Sequence, residues 1–413
     1  MNAQKKHAPD GARAGSPQWR ATVVALWIGV VAAIAWAWEI HDPLAYYPRR
    51  TDLAVYVGAV HEVVNGGSLY EFRTELGLPF TYPPFALLPF VPLAYIPFTA
   101  AKVLAVVWTW VSTIGIAALT ARHAKVFRPG GAFERLPTQA ATPLIAIALG
   151  VSHPVMSNNR FGQISVLLAA IVAFDVLVVC RRWPAYGGIL TGLTAAIKLT
   201  PLAVLPMLWL AGRRRQAYNG LGVFAALGAV GFAIFPGATL DYALHRAGDM
   251  TRFGPYTSTS NQSLNGLLFR AGLDGTTQKL LFLAAALVVL MLAWRRSARL
   301  LSDGDPFAAL VVIGAAMVAA SPISWGHHQV WLWLAAFAVV ARTDWRQAAW
   351  TVVVIVLLSK APIGELTGGA VPAVDWLVGS LRGFLAIAIA TVIPLGRAHP
   401  RSMDRPATAA AGR

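Results

Sequence analysis

Apolar runs of about 15–20 residues recur along the whole chain, a length that lets a helix cross a bilayer. Of the 413 residues, 57% are hydrophobic and only 13% are charged, whereas a soluble domain carries roughly 25% charged residues. Backbone groups in lipid need internal hydrogen bonds, which favours helices. We therefore predict an all-α polytopic membrane protein with about twelve spans, at 20–38, 99–121, 139–151, 163–180, 187–198, 200–211, 217–235, 278–294, 306–320, 327–341, 346–359 and 376–395.

The formal net charge is +16 at pH 7, and most basic residues lie in short segments between the predicted spans. This pattern places those segments, and both termini, in the cytoplasm. We predict a single membrane domain over 1–413 in the plasma membrane, with cytoplasmic tails at 1–19 and 398–413. The charge fits membrane topology and anionic lipid, and no separate basic domain suggests a nucleic-acid partner.

The chemistry is expected on the outer, periplasmic face, where the longest polar loops fall. The first outer loop, 39–98, is predicted to be catalytic, and apolar residues at helical spacing predict an amphipathic helix over 52–65 lying at the membrane interface. Residues 84–98 are apolar but rich in proline, so we expect them to enter the interface without crossing it.

Asp52 is the candidate general base. It follows Arg49 and Arg50 at the start of the predicted helix, with Tyr56 one turn further on. A carboxylate at a membrane surface can take a proton from a substrate hydroxyl. A helix N-terminus would lower the pKa of this carboxyl group and keep it ionised. The alternative is an acid that only interacts with the helix dipole.

A second group of residues suits a substrate phosphate. Lys198 stands at a predicted break between two short spans, and a lysine among apolar residues is commonly functional. The adjacent pair His327 and His328 could form a metal site, a proton relay or part of the membrane interface; the metal site is the weakest of these, and we predict no metal and no cofactor. The candidates for binding the donor phosphate are Lys198, His327, His328, Arg160 and Arg270, and those for binding substrate are Tyr56, Tyr82, Asn261, Trp325 and Glu365.

Six motifs, each weak alone, occur in a fixed order along the chain. They are Asp52 with Tyr56, Gly66-Gly67-Ser68-Leu69-Tyr70, Phe80-Thr81-Tyr82-Pro83-Pro84, Lys198-Leu199-Thr200-Pro201, Asn261-Gln262-Ser263, and Ser321-Pro322-Ile323-Ser324-Trp325-Gly326-His327-His328. Together they resemble glycosyltransferase family 87, a family of GT-C membrane enzymes. Relatives often carry an acid before the histidines, where this chain has Gly326, which puts a second carboxylate there in doubt.

The resemblance implies a GT-C fold and an inverting transfer of mannose from polyprenyl-phosphate-mannose to a phosphatidylinositol mannoside glycolipid, with an α-1,2 linkage as the product. The essential acid of the family maps onto Asp52. A polyprenyl-phosphate-dependent arabinofuranosyltransferase and a mannosyltransferase that branches a lipomannan remain alternatives. A lipid or solute transporter fits less well, because the chain has no internal repeat and its polar residues cluster in outer loops.

Overall fold

The computed structural model describes residues 16–41, 50–249, 252, 254–340, 344–359 and 372–396. Helices build this part of the chain, and its only extended pairing is an isolated antiparallel bridge between Arg73 and Pro79. The prediction of an all-α protein is therefore confirmed for the described residues.

The described residues of the first half form nine α-helices: α1 (Pro17–His41), α2 (Thr51–Val64), α3 (Val91–Ala94), α4 (Phe98–His123), α5 (Thr138–Gly150), α6 (His153–Phe161), α7 (Ser165–Phe174), α8 (Cys180–Arg182) and α9 (Ile189–Ile197). The described second half adds α10 (Val204–Leu210), α11 (Arg214–Ile234), α12 (Pro236–Asp241), α13 (Leu264–Arg270), α14 (Gly275–Ser302), α15 (Pro306–Ala320), α16 (Val330–Leu334), α17 (Asp344–Leu357), α18 (Pro372–Gly379) and α19 (Leu381–Thr391). Short 3-10 or π-helical turns join several of them.

Four of these helices are long and apolar enough to cross a membrane: Pro17–Trp38, Phe98–His123, Arg214–Ile234 and Gly275–Ser302. Two bent pairs raise the number of candidate spans to six if each counts as one: α5 with α6, bent by 61°, and Ala373–Gly379 with α19, bent by 56°. Helical segments also occupy the other predicted positions, but several are short. The structure thus supports a multi-span membrane protein with four to six spans by length and composition.

Helix α15 lies at the centre of the bundle. Its residues from Pro306 to Ala319 are all buried, and it packs between α14 and α19. Alanine is frequent in α15, and such small side chains let neighbouring helices approach closely. The carboxylate of Asp305 holds the start of this helix, since it accepts a hydrogen bond from the Ala308 N–H at 3.0 Å and lies 3.2 Å from Lys125 Nζ.

A second hydrophobic core is built largely from the described part of the predicted first outer loop, 39–98. Helix α2 runs from Thr51 to Val64, within a residue of the predicted helix, and buries Leu53, Tyr56 and Val60 against the segment around Phe80. Gly66 follows with a φ of 84°, a left-handed conformation that suits glycine and ends the helix. The 3-10 helix Pro84–Phe90 and α3 complete this core, which fixes Asp52 on the first turn of α2.

Two interruptions of the helices bring polar residues to the same end of the bundle as α2. The chain bends between α5 and α6, so that Asn158, Asn159 and Arg160, which fall between the predicted spans 139–151 and 163–180, lie on a short helix. Lys198 has extended backbone angles, φ −145° and ψ 121°, between α9 and the 3-10 helix Thr200–Ala203. The predicted break at Lys198 is confirmed.

Candidate active site

Asp52 lies at the edge of a cavity of about 240 Å³. Six parts of the chain contribute to its wall: the first turn of α2, the segment around Tyr82, the turn after α6, the junction at Lys198, the residues from Tyr242 to Arg252 and the turn before α16. Its polar lining residues include Asp52, Tyr82, Gln163, Lys198, Arg252 and His328. We call this space the first cavity.

Among the described residues, the carboxylate of Asp52 has one hydrogen-bond partner. Its Oδ2 atom accepts a hydrogen bond of 2.6 Å from Gln163 Nε2. Burial raises the pKa of Asp52 to about 6, although the Gln163 hydrogen bond and the charge of Lys198 both act to lower it. The prediction of a lowered pKa is therefore wrong: loss of hydration outweighs the helix N-terminus. The group still remains mostly ionised at neutral pH, as a general base must.

Two tyrosines form one wall of the first cavity. The hydroxyl groups of Tyr56 and Tyr82 lie 3.2 Å apart, and Tyr82 donates to Gln163 Oε1 at 3.1 Å. Tyr56 also stacks on Phe90, with ring centroids 4.2 Å apart. Burial raises the pKa of both phenols, so they remain neutral hydrogen-bonding groups beside Asp52.

Lys198 and the histidine pair lie on the far side of Tyr82. Lys198 Nζ lies 2.7 Å from His328 Nε2, 3.1 Å from Ser165 Oγ and 3.5 Å from the Tyr82 hydroxyl. His327 is only 2% exposed, and neither of its ring nitrogens has a hydrogen-bond partner among the described residues. A buried polar group without a partner is costly, so this arrangement suits a ligand that supplies one.

Arg252 also lines the first cavity, and the sequence analysis missed it. Its guanidinium group lies over the Tyr70 ring, 5.1 Å from the centroid, and donates a 2.5 Å hydrogen bond to the Phe80 carbonyl. The predicted Arg270 lies elsewhere, donating to the Ser258 and Asn261 carbonyls at 2.9 and 2.7 Å. Both arginines follow α12 in the chain, and no sequence motif distinguishes their roles.

A larger cavity, of about 550 Å³, meets the first one at Asp52. The two share Asp52, Leu78, Trp325 and His327. The larger one, which we call the second cavity, is also lined by His153, Ser157, Arg160, Ser258 and Ser260. Arg160, with its guanidinium 5.5 Å from the centre of the Phe161 ring, thus lies in the second cavity and does not line the first.

The other predicted residues occupy different positions. Asn261 is fully buried and joins two loops, because its Oδ1 accepts hydrogen bonds from the Ser324 N–H and the Ser263 hydroxyl, each at 2.9 Å. Neither cavity is lined by Asn261. Glu365 lies outside the described residues. At Gly326, a Cβ atom would come within 2.4 Å of His153 Nε2, so an acidic side chain could enter only if His153 moved.

The arrangement offers a carboxylate that can accept a proton and, beyond a layer of neutral groups, cations that can stabilise a phosphate. In the part of the chain that the structure describes, no group of three or more His, Cys, Asp or Glu side chains could hold a metal ion.

The chain is similar to glycosyltransferase family 87, whose family model matches residues 80–322. It is 29% identical over 390 residues to the polyprenol-phosphate-mannose-dependent α-(1-2)-phosphatidylinositol mannoside mannosyltransferase of Mycobacterium tuberculosis, covering 90% of each chain. It is 30% identical over 383 residues to the corresponding phosphatidylinositol pentamannoside mannosyltransferase of Mycolicibacterium smegmatis, covering 90% of this chain and 84% of that protein. No solved structure shows a significant match.

The matched region begins at Phe80 and ends at Pro322, and so includes Tyr82, Gln163, Lys198 and Arg252. It spans more than half of the 413 residues. The similarity to the relatives covers nine tenths of the chain, and so it also extends outside residues 80–322. The chain belongs to glycosyltransferase family 87.

Proposed function

We propose that this protein is an inverting mannosyltransferase, which transfers mannose from polyprenyl-phosphate-mannose to a phosphatidylinositol mannoside and forms an α-1,2 linkage. The names of its relatives support the donor, the acceptor and the linkage. The observation that carries the proposal is the position of Asp52, an acid with a pKa of about 6, at the meeting point of two cavities, one of them lined by Lys198 and Arg252.

The first cavity suits the donor. The phosphate of the donor would lie against Lys198, His328 and Arg252, with a ring nitrogen of His327 as a further hydrogen-bonding group. These groups can stabilise the negative charge that remains on the polyprenyl phosphate after the sugar leaves. A monophosphate carries less charge than a diphosphate, so protein cations suffice and no metal is required by the mechanism.

The second cavity suits the sugar end of the acceptor. Ser157, Ser258 and Ser260 offer hydroxyl groups, Arg160 offers donors, and Trp325 presents an aromatic surface, the groups that usually bind sugars. We therefore assign Arg160 to binding of the acceptor and no longer to the donor phosphate. Tyr56, Tyr82 and Trp325 stay candidates for binding substrate.

The reaction follows from this placement. Asp52 takes the proton from an acceptor hydroxyl while that oxygen attacks the anomeric carbon of the donor mannose. The new carbon–oxygen bond forms on the face opposite the breaking bond to phosphate, so the configuration inverts. The bonding electrons leave with the polyprenyl phosphate, and the proton stays on Asp52 until water removes it.

The same proposal includes a topology. We place the whole chain, 1–413, in one GT-C unit of about twelve membrane segments, with the tails 1–19 and 398–413 in the cytoplasm and the loop 39–98 in the periplasm. Helix α2 then lies at the outer interface. Support comes from the basic residues between spans and from the cavity residues, which all lie in segments expected at the outer end. No nucleic-acid partner is proposed.

The test uses purified protein in lipid nanodiscs with EDTA, a mannosylated phosphatidylinositol and either polyprenyl-phosphate-mannose or polyprenyl-phosphate-arabinose. Mass spectrometry of the lipids should show one added hexose with the mannose donor, and nuclear magnetic resonance of the product should show an α-1,2 linkage. Addition of a pentose only would overturn the choice of mannose. Donor movement across a liposome bilayer, without any transfer, would indicate a transporter.

A further inference from the structure

Gln163 joins the candidate base to the phosphate side of the site. Its Nε2 atom donates to Asp52 Oδ2 at 2.6 Å, and its Oε1 atom accepts from the Tyr82 hydroxyl at 3.1 Å. Tyr82 in turn lies 3.5 Å from Lys198 Nζ. A chain of hydrogen-bonding groups therefore runs from Asp52 to Lys198 through one amide and one phenol.

The backbone at Gln163 is held from several sides. Its carbonyl accepts from Asn158 Nδ2 at 2.8 Å and from Trp108 Nε1 at 3.3 Å. The preceding Gly162 has a φ of 67°, and a Cβ atom there would approach the Leu53 Cβ to 2.8 Å. The turn after α6 thus packs directly on α2, beside Asp52, and only glycine permits this approach.

An amide is suited to this position in a way that other side chains are not. It presents a donor to the carboxylate and an acceptor to the phenol at the same time. A glutamate of the same length would present a carboxylate oxygen to Asp52. A methionine would remove the donor to the Asp52 carboxylate and leave the Tyr82 hydroxyl only its contacts with Tyr56 and Lys198. The side-chain chemistry therefore fixes which end of Gln163 faces Asp52.

We propose that Gln163 is a positioning residue for the transfer reaction. It occupies Oδ2 of Asp52, holds the carboxyl group in one orientation, and leaves Oδ1 to receive the proton of the acceptor hydroxyl. This role rests on the proposed function of Asp52 as the base. The same hydrogen bond favours the ionised carboxylate, so Gln163 also sets the pH at which the base becomes active.

Other titratable groups around Asp52 also influence this pH. Tyr56 and Tyr82 face it from α2 and the following segment, and Lys198 from the junction after α9. His327 and His328 lie in the turn before α16. Arg160 and His153, on α6, and Arg252, in the outer segment after α12, line the adjoining cavity walls. Because these groups stay in place, substitution of Gln163 alone isolates the effect of its hydrogen bond.

The decisive variant is Gln163→Met, which keeps the length of the side chain and removes both hydrogen bonds. We expect kcat to fall roughly tenfold to a hundredfold, because a misplaced catalytic group costs that much. Both KM values should change less than about threefold, since the contacts proposed for the donor phosphate and for the acceptor sugar are made by other side chains. The acidic limb of the pH–rate profile should move up by about one pH unit, the equivalent of one charge-assisted hydrogen bond. Gln163→Glu should move it further, because a second negative charge would face Asp52.

Gln262→Met is the matched control. Gln262 is a buried glutamine whose side chain also joins acceptors and a donor, but it does not line either cavity. Its Nε2 donates to the Thr259 and Gly379 carbonyls at 2.5 and 2.7 Å, and its Oε1 accepts from the Gly383 N–H at 2.7 Å. Its loss should lower thermal stability and leave the acidic limb unchanged. If the acidic limb of the pH–rate profile moves equally in both variants, or in neither, the proposed role of Gln163 is wrong.

A second measurement does not depend on turnover. Infrared titration of the carboxyl band, with Asp52→Asn as the reference, gives the protonation midpoint of Asp52 in the purified protein. We expect a midpoint near pH 6 in the parent and about one unit higher in Gln163→Met. An unchanged midpoint would refute the inference. If the midpoint shifts but the protein transfers no sugar, the effect of Gln163 on Asp52 is supported and the proposed function is refuted instead.

Discussion

The protonation of Asp52 should set the lower pH limit of sugar transfer. An acid that serves as a base must be ionised, so activity is present above its pKa and is lost as the pH falls through that value. Burial places this pKa at about 6. At pH 5 about one tenth of the molecules should then carry an ionised Asp52, and at pH 7 about nine tenths.

These fractions give a clear difference from an ordinary aspartate. With an unperturbed pKa of about 3.9, more than nine tenths of the carboxyl groups would remain ionised at pH 5, and the rate would hardly change. We therefore expect kcat/KM for the acceptor to fall about eightfold to tenfold between pH 7 and pH 5. The shift of about two pH units corresponds to roughly 3 kcal/mol against ionisation, which reflects the loss of hydration around Asp52.

The assay is the initial rate of hexose addition in nanodiscs between pH 4.5 and 8.5 at constant ionic strength. A sample held at pH 5 and returned to pH 7 must recover its full rate, which separates protonation from denaturation. Asp52→Asn should lose about a hundredfold to ten-thousandfold in rate, and its residual activity should not follow the acidic limb. Glu71→Gln, which changes an exposed acid in the segment between α2 and α3, should keep the parental pH profile.

Two outcomes would contradict this reasoning. A midpoint near pH 4 in the parent would mean that water reaches Asp52 and that burial does not control its ionisation. An unchanged acidic limb in Asp52→Asn, at a rate close to the parental one, would mean that another group is the base.

Three further substitutions test the placement of the substrates and the packing beside the base. Lys198→Met should raise the KM of the donor roughly tenfold to a hundredfold, the cost of one hydrogen bond to a charged group, and leave the acceptor KM within about threefold. Arg160→Ala should do the opposite, raising the acceptor KM about tenfold while the donor KM stays constant, and an effect on the donor alone would return Arg160 to the donor site. Gly162→Ala should lower the free energy of unfolding by about 1–3 kcal/mol, seen as a lower melting temperature, because it combines a left-handed backbone with a clash at Leu53. Gly115→Ala, which has open space around it, should not lower the melting temperature.

Local patterns were enough to predict the elements that carry the site. The apolar spacing in the first outer loop located α2 within a residue at each end, because one face of this helix must pack on a core and glycine follows it. The short predicted spans 187–198 and 200–211 meet at Lys198, and the chain does leave the helix at this residue. Both features depend on neighbours in the sequence, which is why the sequence revealed them.

The features that depend on distant contacts could not be predicted in this way. The pKa of Asp52 is set by burial at the meeting point of two cavities, whose walls include residues as distant in sequence as Gln163 and His327, and that effect exceeds the local one of the helix N-terminus. Gln163 carries no motif of its own and gains its position from the Asn158 side chain and the turn at Gly162. The choice between Arg252 and Arg270 depends on which of them faces the cavity, and their sequence contexts do not differ in a way that indicates this.

The separation between Asp52 and Lys198 explains how one small site can hold both a base and a phosphate-binding cation. A lysine ammonium in direct contact with a carboxylate would lower its pKa and make it a weaker base. Here the amide of Gln163 and the phenol of Tyr82 lie between the two groups, and the charge of Lys198 is the smallest of the influences on the pKa of Asp52. The neutral layer thus leaves Asp52 basic enough to accept a proton near neutral pH, while Lys198 remains close enough to stabilise the departing phosphate.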